Sequence, residues 1–430
     1  MRRTAKQVLA VVVMAAGMAL WAQSSPGDIE ELKAELKAAQ DLLRSQQAMV
    51  EALQKRVGEL EARQAAQQAA PTSREAKAGK DAAAPATVTW KNGGTTFAFP
   101  QAQLKLVNRL QYRWTQDNYS DPEDTDNGAF RIRRFKTQLT GWAYTPDLTF
   151  RLQVDWANAN TSLGILDDAY VDYDVTRGKG YFHVRGGQFK TPFGRQSLAS
   201  TATDMFADRS FVTTTFANIR DVGMMVWGQF GPSQVKDLIE YQAGVFNGGG
   251  RSEYTNTDAR YQTDFRVMIS PWGSAGYDEA NPFGTKDPKV SFGLAYEHGD
   301  RREDKSGWMA GREYHTWGYD LMVKYRRVTA YGEWFDRKMW DVHDKTSRSD
   351  GYNAQVGYLL VPGRWEVFAG RWGYDPDRSI LKDRTTEWGL GTNVYFSGFN
   401  SKLQADWRKT SADKTGKDSY EFRVQYQIMF

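Results

Sequence analysis

The chain has 430 residues, no cysteine, and 15 Trp, 21 Tyr and 22 Phe. The lack of cysteine excludes disulfides and thiolate metal sites, and a net charge of +4 gives no support to a nucleic-acid partner. A mean hydropathy of −0.64 is that of a soluble protein, but it does not exclude a membrane β-barrel, whose strands alternate lipid-facing and lumen-facing residues.

Arg2, Arg3 and Lys6 precede an apolar run, Val8 to Leu20, that is short for a membrane helix. This is the pattern of a cleaved export signal over residues 1–22, with Ala22 last before the cut. Removing its three cations leaves a mature charge of +1. A retained helical anchor is the alternative, but no stop-transfer pattern follows.

Residues 23–64 read as a periplasmic coiled-coil helix. Ile29, Leu36, Leu43, Val50 and Val57 occupy a positions; Leu32, Ala39, Gln46, Leu53 and Leu60 occupy d positions. A strict seven-residue repeat keeps one seam toward a partner helix. Asp28 facing Lys33, and Arg56 facing Glu61, favour parallel self-association. The heptads leave two and three strands equally open, and a lone amphipathic helix is the blander reading. Residues 65–94, rich in Ala, Gln, Lys and Ser with Pro71 and Pro85, read as a flexible linker.

From residue 95 to 430 the period becomes two. Leu148, Phe150, Leu152, Val154 and Trp156 alternate with Thr149, Arg151, Gln153 and Asp155. Tyr420, Phe422, Val424, Tyr426, Ile428 and Phe430 alternate with Glu421, Arg423, Gln425 and Gln427. One apolar and one polar face per strand require lipid on the first and water on the second. About sixteen such segments are expected, an all-β transmembrane antiparallel barrel with a water-filled lumen. Short and long connections alternate, as they must when both ends of the barrel lie on one side. The stretch Pro271 to Asp287 breaks this rule, being long where a short turn is expected. Tyr426, Ile428 and Phe430 resemble the C-terminal signal read by the barrel assembly machinery. That places the barrel in the outer membrane, with lipid and lipopolysaccharide as its surroundings.

Several runs resemble a known family. They are Phe130-Arg131-Ile132-Arg133-Arg134, Asp168-Ala169-Tyr170-Val171-Asp172-Tyr173, Gly187-Gln188-Phe189-Lys190-Thr191-Pro192-Phe193-Gly194 and Gly244-Val245-Phe246-Asn247-Gly248. Together they are similar to the phosphate-selective porin O and P family. The resemblance implies a homotrimer of sixteen-stranded barrels, each with its own pore and a third loop folded inward. Thr191 to Arg220 stands in that loop's place.

Parity puts Lys105, Arg109, Arg113, Arg134, Lys136 and Arg151 on the lumen wall of the first three strands, with Arg185, Lys190, Arg195 and Arg209 near the constriction. Gly186 and Gly187 could form a bulge that re-aims the strand carrying Lys190. Cations lining a pore attract anions, and the planar fork of Arg suits oxyanions. Asp168, Asp172, Asp174, Glu240, Glu297, Glu333 and Asp406 oppose them on the same parity. An opposed arrangement of that kind would give a transverse field with little ion choice. His183, His298, His315 and His343 form no nucleophilic motif, and neither a cofactor nor a metal spacing is present, so an enzyme is not expected. Two functions remain. One is a channel for small hydrophilic solutes, chiefly anions; the other is a structural tether in which the coil links the outer membrane to peptidoglycan.

Overall fold

The computed structural model describes residues 86–430, apart from 122–123, 160–163, 233–234, 236, 252, 254, 257–259 and 304–307. The export signal, the coiled coil and all of the linker but residues 86–94 lie outside the described residues.

Two short strands, β1 (Thr87–Trp90) and β2 (Thr95–Phe99), open the described chain. Residues 87–90 were expected in the linker. Their Thr-Val-Thr-Trp sequence is instead rich in strand-forming side chains and pairs with β2 from Thr87↔Ala98 to Trp90↔Thr95. Sixteen further strands make the wall. The first eight are β3 (Ala102–Tyr119), β4 (Asn127–Ala143), β5 (Thr145–Asp155), β6 (Leu166–Asp174), β7 (His183–Phe189), β8 (Asp221–Phe230), β9 (Ile239–Phe246) and β10 (Gln262–Ile269). The others are β11 (Thr285–Asp300), β12 (Arg312–Arg326), β13 (Val328–Asp341), β14 (Thr346–Val361), β15 (Trp365–Asp375), β16 (Thr385–Tyr395), β17 (Ser401–Ala412) and β18 (Lys417–Met429).

Every neighbouring pair is antiparallel, and β18 returns to pair with β3 from Ser419↔Tyr119 to Met429↔Arg109. The result is the expected closed sixteen-stranded barrel. Phe430 completes the seam, its N–H donating to Asn108 O at 3.0 Å and its carbonyl accepting from Asn108 N at 2.7 Å. Below that point β2 takes over the edge of β3, from Thr95↔Leu106 to Phe99↔Ala102.

Two bulges change which side chains face inward. Between β3 and β4, Gln111 pairs with Arg134 and Tyr112 with Ile132, leaving Arg133 as the extra residue. Between β5 and β6, Gln153 pairs with Asp168 and Val154 with Leu166, leaving Asp167 extra. A bulge lets consecutive residues turn to one face. In contrast, the expected bulge at Gly186–Gly187 is absent, since β6 and β7 keep one register from Ala169↔Gln188 to Asp174↔His183. The glycine serves close approach: Gly187 has φ +128, and a Cβ there would lie 2.2 Å from Ala169 O.

The lumen is not an empty tube. Residues 190–220, between β7 and β8, turn inward and carry two short helices, α1 (Arg195–Leu198) and α2 (Phe211–Phe216). From this loop Phe193, Met205, Phe206, Val212 and Phe216 pack against Met322, Tyr331, Phe335, Phe368 and Trp372 of the inner wall. Phe206 meets Trp372 edge-on at 4.9 Å, and Phe216 stacks on Phe335 at 5.2 Å. The long connection 270–284 enters from the other rim and adds Ala275 and Ala280 to this core. The part of the lumen along β12 to β15 is therefore filled like the interior of a soluble protein.

Candidate functional site

Polar contacts fix the inward loop on two sides. On the core side, Arg195 is buried and its Nε lies 2.7 Å from Asp320 Oδ1. On the same side, Glu279 of connection 270–284 accepts from Gln196 Nε2 at 2.7 Å, Tyr331 Oη at 3.1 Å and Met205 N at 3.0 Å. Ala280 N donates to Thr203 O at 3.0 Å, and Gly363 N donates to Pro282 O at 2.6 Å. The connection thus forms a floor that runs from the β10–β11 rim to the β14–β15 turn. The anomaly noted in the sequence, a long connection where a turn was expected, is this floor.

On the opposite side, Asp208 receives Arg134 at 2.8 Å, Arg133 at 3.1 Å and Arg113. Arg220, at the end of the loop, pairs with Asp168 at 2.7 Å.

What remains open is a cavity of about 910 Å³ between the loop and the wall made by β3 to β9 and β16 to β18. Of the ten cations expected at the pore, Arg109, Arg134, Lys136, Arg151, Arg185, Lys190 and Arg209 line it together. The structure does not bring the other three there. Arg113 faces inward but is fully covered by the loop, bonding Ala207 O at 2.7 Å and Gln425 Oε1 at 2.7 Å. Arg195 sits within the loop's anchorage. Lys105 lies level with Thr96 of β2, outside the cavity.

The lining also contains Arg133, Arg220, Arg251 and Arg408, which parity alone did not single out. In all, eleven basic and six acidic side chains line the cavity. Several of the cations are held without a carboxylate. Arg109 donates to Thr201 Oγ1 at 2.9 Å, Lys190 to Leu198 O at 2.9 Å, and Arg209 to Ala199 O at 2.7 Å and Gln196 O at 3.0 Å. Carbonyl and hydroxyl oxygens orient a cation without placing an opposite charge beside it. Arg185 is held between aromatic faces, 4.4 Å from the Tyr170 ring centre and 5.3 Å from that of Trp227, and its Nε donates to Asp172 at 2.7 Å.

Residues 105–429 match the family described as phosphate-selective porin O and P. The chain belongs to that family. It is an outer-membrane porin, a channel through which solutes diffuse passively. Among solved structures, the porin is similar to the anion-selective porin from Comamonas acidovorans, with a TM-score of 0.55 and 14% identity over 77% of this chain and 100% of that one. It is also similar to the outer membrane channel DcaP of Acinetobacter baumannii, with a TM-score of 0.51 and 10% identity over 77% and 98%. The trimer form of OmpT of Vibrio cholerae gives 0.50 and 10% over 77% and 100%. At these identities the likeness is one of fold. An uncharacterized protein of Aquifex aeolicus (strain VF5) is 23% identical over 288 residues, which are 58% of this porin and 64% of that protein, under two thirds of its length. Family and fold point to a channel rather than an enzyme.

Proposed function

We propose that the porin passes small hydrophilic anions in preference to cations, oxyanions such as phosphate among them. The observation that carries this reading is the excess of basic over acidic side chains around the cavity, with Arg109, Lys190 and Arg209 held by neutral oxygens. Lys190 and Arg209 both donate to Ala199 O, which puts them within the Debye length of about 8 Å at physiological salt, so their potentials add. The floor and the apolar core confine solute to this charged side of the lumen, where a single charge acts over a narrow water path. Lys136, Arg151 and Arg185 extend the cationic wall, partly neutralised by Asp155, Asp168 and Asp172.

The same reading includes a homotrimer, as in the solved trimer form of OmpT, and residues 1–22 as an export signal. Residues 23–64 form the periplasmic coil, and Tyr426, Ile428 and Phe430 serve as the assembly signal. No finding supports the tether reading.

The test is a reversal-potential measurement on full-length protein in planar bilayers under a potassium chloride gradient, repeated with potassium phosphate. A potential of the sign set by anion flow is expected with both salts. A cation-directed potential would overturn the proposal, and chloride flow without phosphate flow would remove oxyanions from it.

A further inference from the structure

The outward parity of β12 to β16 carries a feature unrelated to the pore. Register places Leu321, Gly332, Ala354, Arg371 and Trp388 in one row across five strands. The next row toward the C-terminal rim is Val323, Ala330, Val356, Ala369 and Leu390. The row on the other side begins Tyr319, Trp334 and Tyr352, with Trp334 and Tyr352 stacked at 6.3 Å and 7°. Gly332, Ala330, Ala354 and Ala369 are small beside the larger outward side chains of Leu321, Trp334, Tyr352 and Trp388. Their backbones floor a trough of about 470 Å³, walled by Leu321 and Val323 and headed by Arg371.

Arg371 is exposed on this lipid-facing side, and its Nε donates to Tyr352 Oη at 3.1 Å. Among the described residues no carboxylate pairs with it. A guanidinium on the lipid face of a barrel is costly unless it reaches an interfacial anion. Its place beside Tyr352 and Trp388 is that of the aromatic girdle, where lipid headgroups lie.

We propose that this trough binds a phosphorylated lipid of the outer leaflet, with Arg371 taking the phosphate and the trough one acyl chain. Charge complementarity selects this occupant. A second barrel would bring an apolar wall to the trough and no anion to Arg371. A zwitterionic lipid would fill the trough but offset its phosphate with its own amine. Tyr352 is a positioning residue here, since it orients the guanidinium without reaching the ligand itself.

The experiment is native mass spectrometry of the full-length porin in detergent, titrated with bisphosphorylated lipid A and, separately, with the same lipid dephosphorylated. Arg371→Gln should weaken lipid A binding about tenfold, the loss expected for a charge-assisted hydrogen bond. It should leave the dephosphorylated lipid unaffected. Ala354→Phe, which fills the trough, should weaken both. Bilayer conductance reports folding independently, because neither side chain faces the lumen, and it should equal that of the unaltered protein. Equal binding of the two lipids, or no effect of Arg371→Gln, would overturn the phosphate site. A change in oligomeric state with lipid binding intact in Ala354→Phe would overturn the trough as a lipid site and make it a contact between copies.

Discussion

Arg134 Nη2 donates to Oδ1 of Asp208 at 2.8 Å, and the same oxygen lies 3.1 Å from Arg133. Arg113 reaches the other oxygen. Arg423 lies 3.9 Å from that second oxygen. One loop carboxylate thereby gathers four wall guanidiniums, of which Arg133 and Arg134 are consecutive in sequence and share a face only because β4 bulges at Arg133. The arrangement seats the inward loop against β3 and β4, and it also sets how much positive charge the cavity presents. Asp208 consumes cations that would otherwise meet solute.

Asp208→Asn should therefore have two separable effects. Loss of its charge makes the cavity more basic, so the reversal potential moves further toward anions. Breaking a buried ion pair from one side costs about 3–5 kcal/mol, here charged to the loop's seat and not to the strand ladder. The barrel should still form, and single-channel current noise should rise. Unchanged noise would mean that the core around Phe206 and Phe216 holds the loop unaided.

The cavity cations differ in reach, and a second set of variants exposes this. Arg109→Glu with Arg151→Glu inverts two charges that line the open water path. At about 8 Å in water each unit is worth about 0.5 kcal/mol, and the two inversions change four units, about 2 kcal/mol for a permeating ion, so anion permeability should fall and cation permeability rise by roughly thirtyfold at low salt. At 1 M salt, with a Debye length of about 3 Å, most of the shift should vanish. Arg113→Gln should leave selectivity nearly unchanged, because Arg113 is fully buried beneath the loop. Its cost should appear as lowered thermal stability of the folded band on gels.

Phe430 ties the seam together through its two backbone hydrogen bonds to Asn108. Deleting it removes both bonds, worth about 0.5–1.5 kcal/mol each, and the terminal aromatic of the proposed assembly signal. Refolding in detergent should then be only modestly impaired, while assembly in cells should fall sharply. Equal losses in both settings would assign Phe430 to the seam alone.

The barrel was legible because period two runs through most of each long strand, interrupted in β4 only at the Arg133 bulge. In β18 the apolar set from Tyr420 to Ile428 and the polar set from Glu421 to Gln427 never exchange faces. The lumen contents were harder to read. Arg133 and Asp167 became inward-facing through bulges, and in the runs Arg131 to Arg134 and Asp167-Asp168 a one-residue slip leaves the charge pattern looking the same. Phe193, Phe206 and Phe216 lie in a segment with no strand period, so nothing local distinguishes an inward core from an exposed loop. The connection 270–284 did carry a signal, its length, but length alone could not say that Glu279 would cross to Gln196.

That crossing gives the last prediction. Glu279 accepts three hydrogen bonds and holds the floor to the loop. Burial, together with the nearby Asp204 carboxylate, raises its proton affinity above that of an ordinary glutamate. Asp204 is buried as well, and neither of its side-chain oxygens has a hydrogen-bond partner. A raised acid favours its neutral form in the folded state. Its contribution is fully present below the unfolded value near 4.5 and is lost as pH rises through the higher folded value. The latch should therefore be tightest in acid and loosen toward alkaline pH, with current noise rising over that range. Glu279→Gln mimics the neutral form, keeps an acceptor for Met205 N, and should flatten the pH dependence. Replacing residues 273–281 by a short Gly-Ser turn should raise conductance at every pH, because it removes the floor itself. If that variant folds with unaltered conductance, the path does not pass the floor, and the constriction belongs to the inward loop alone.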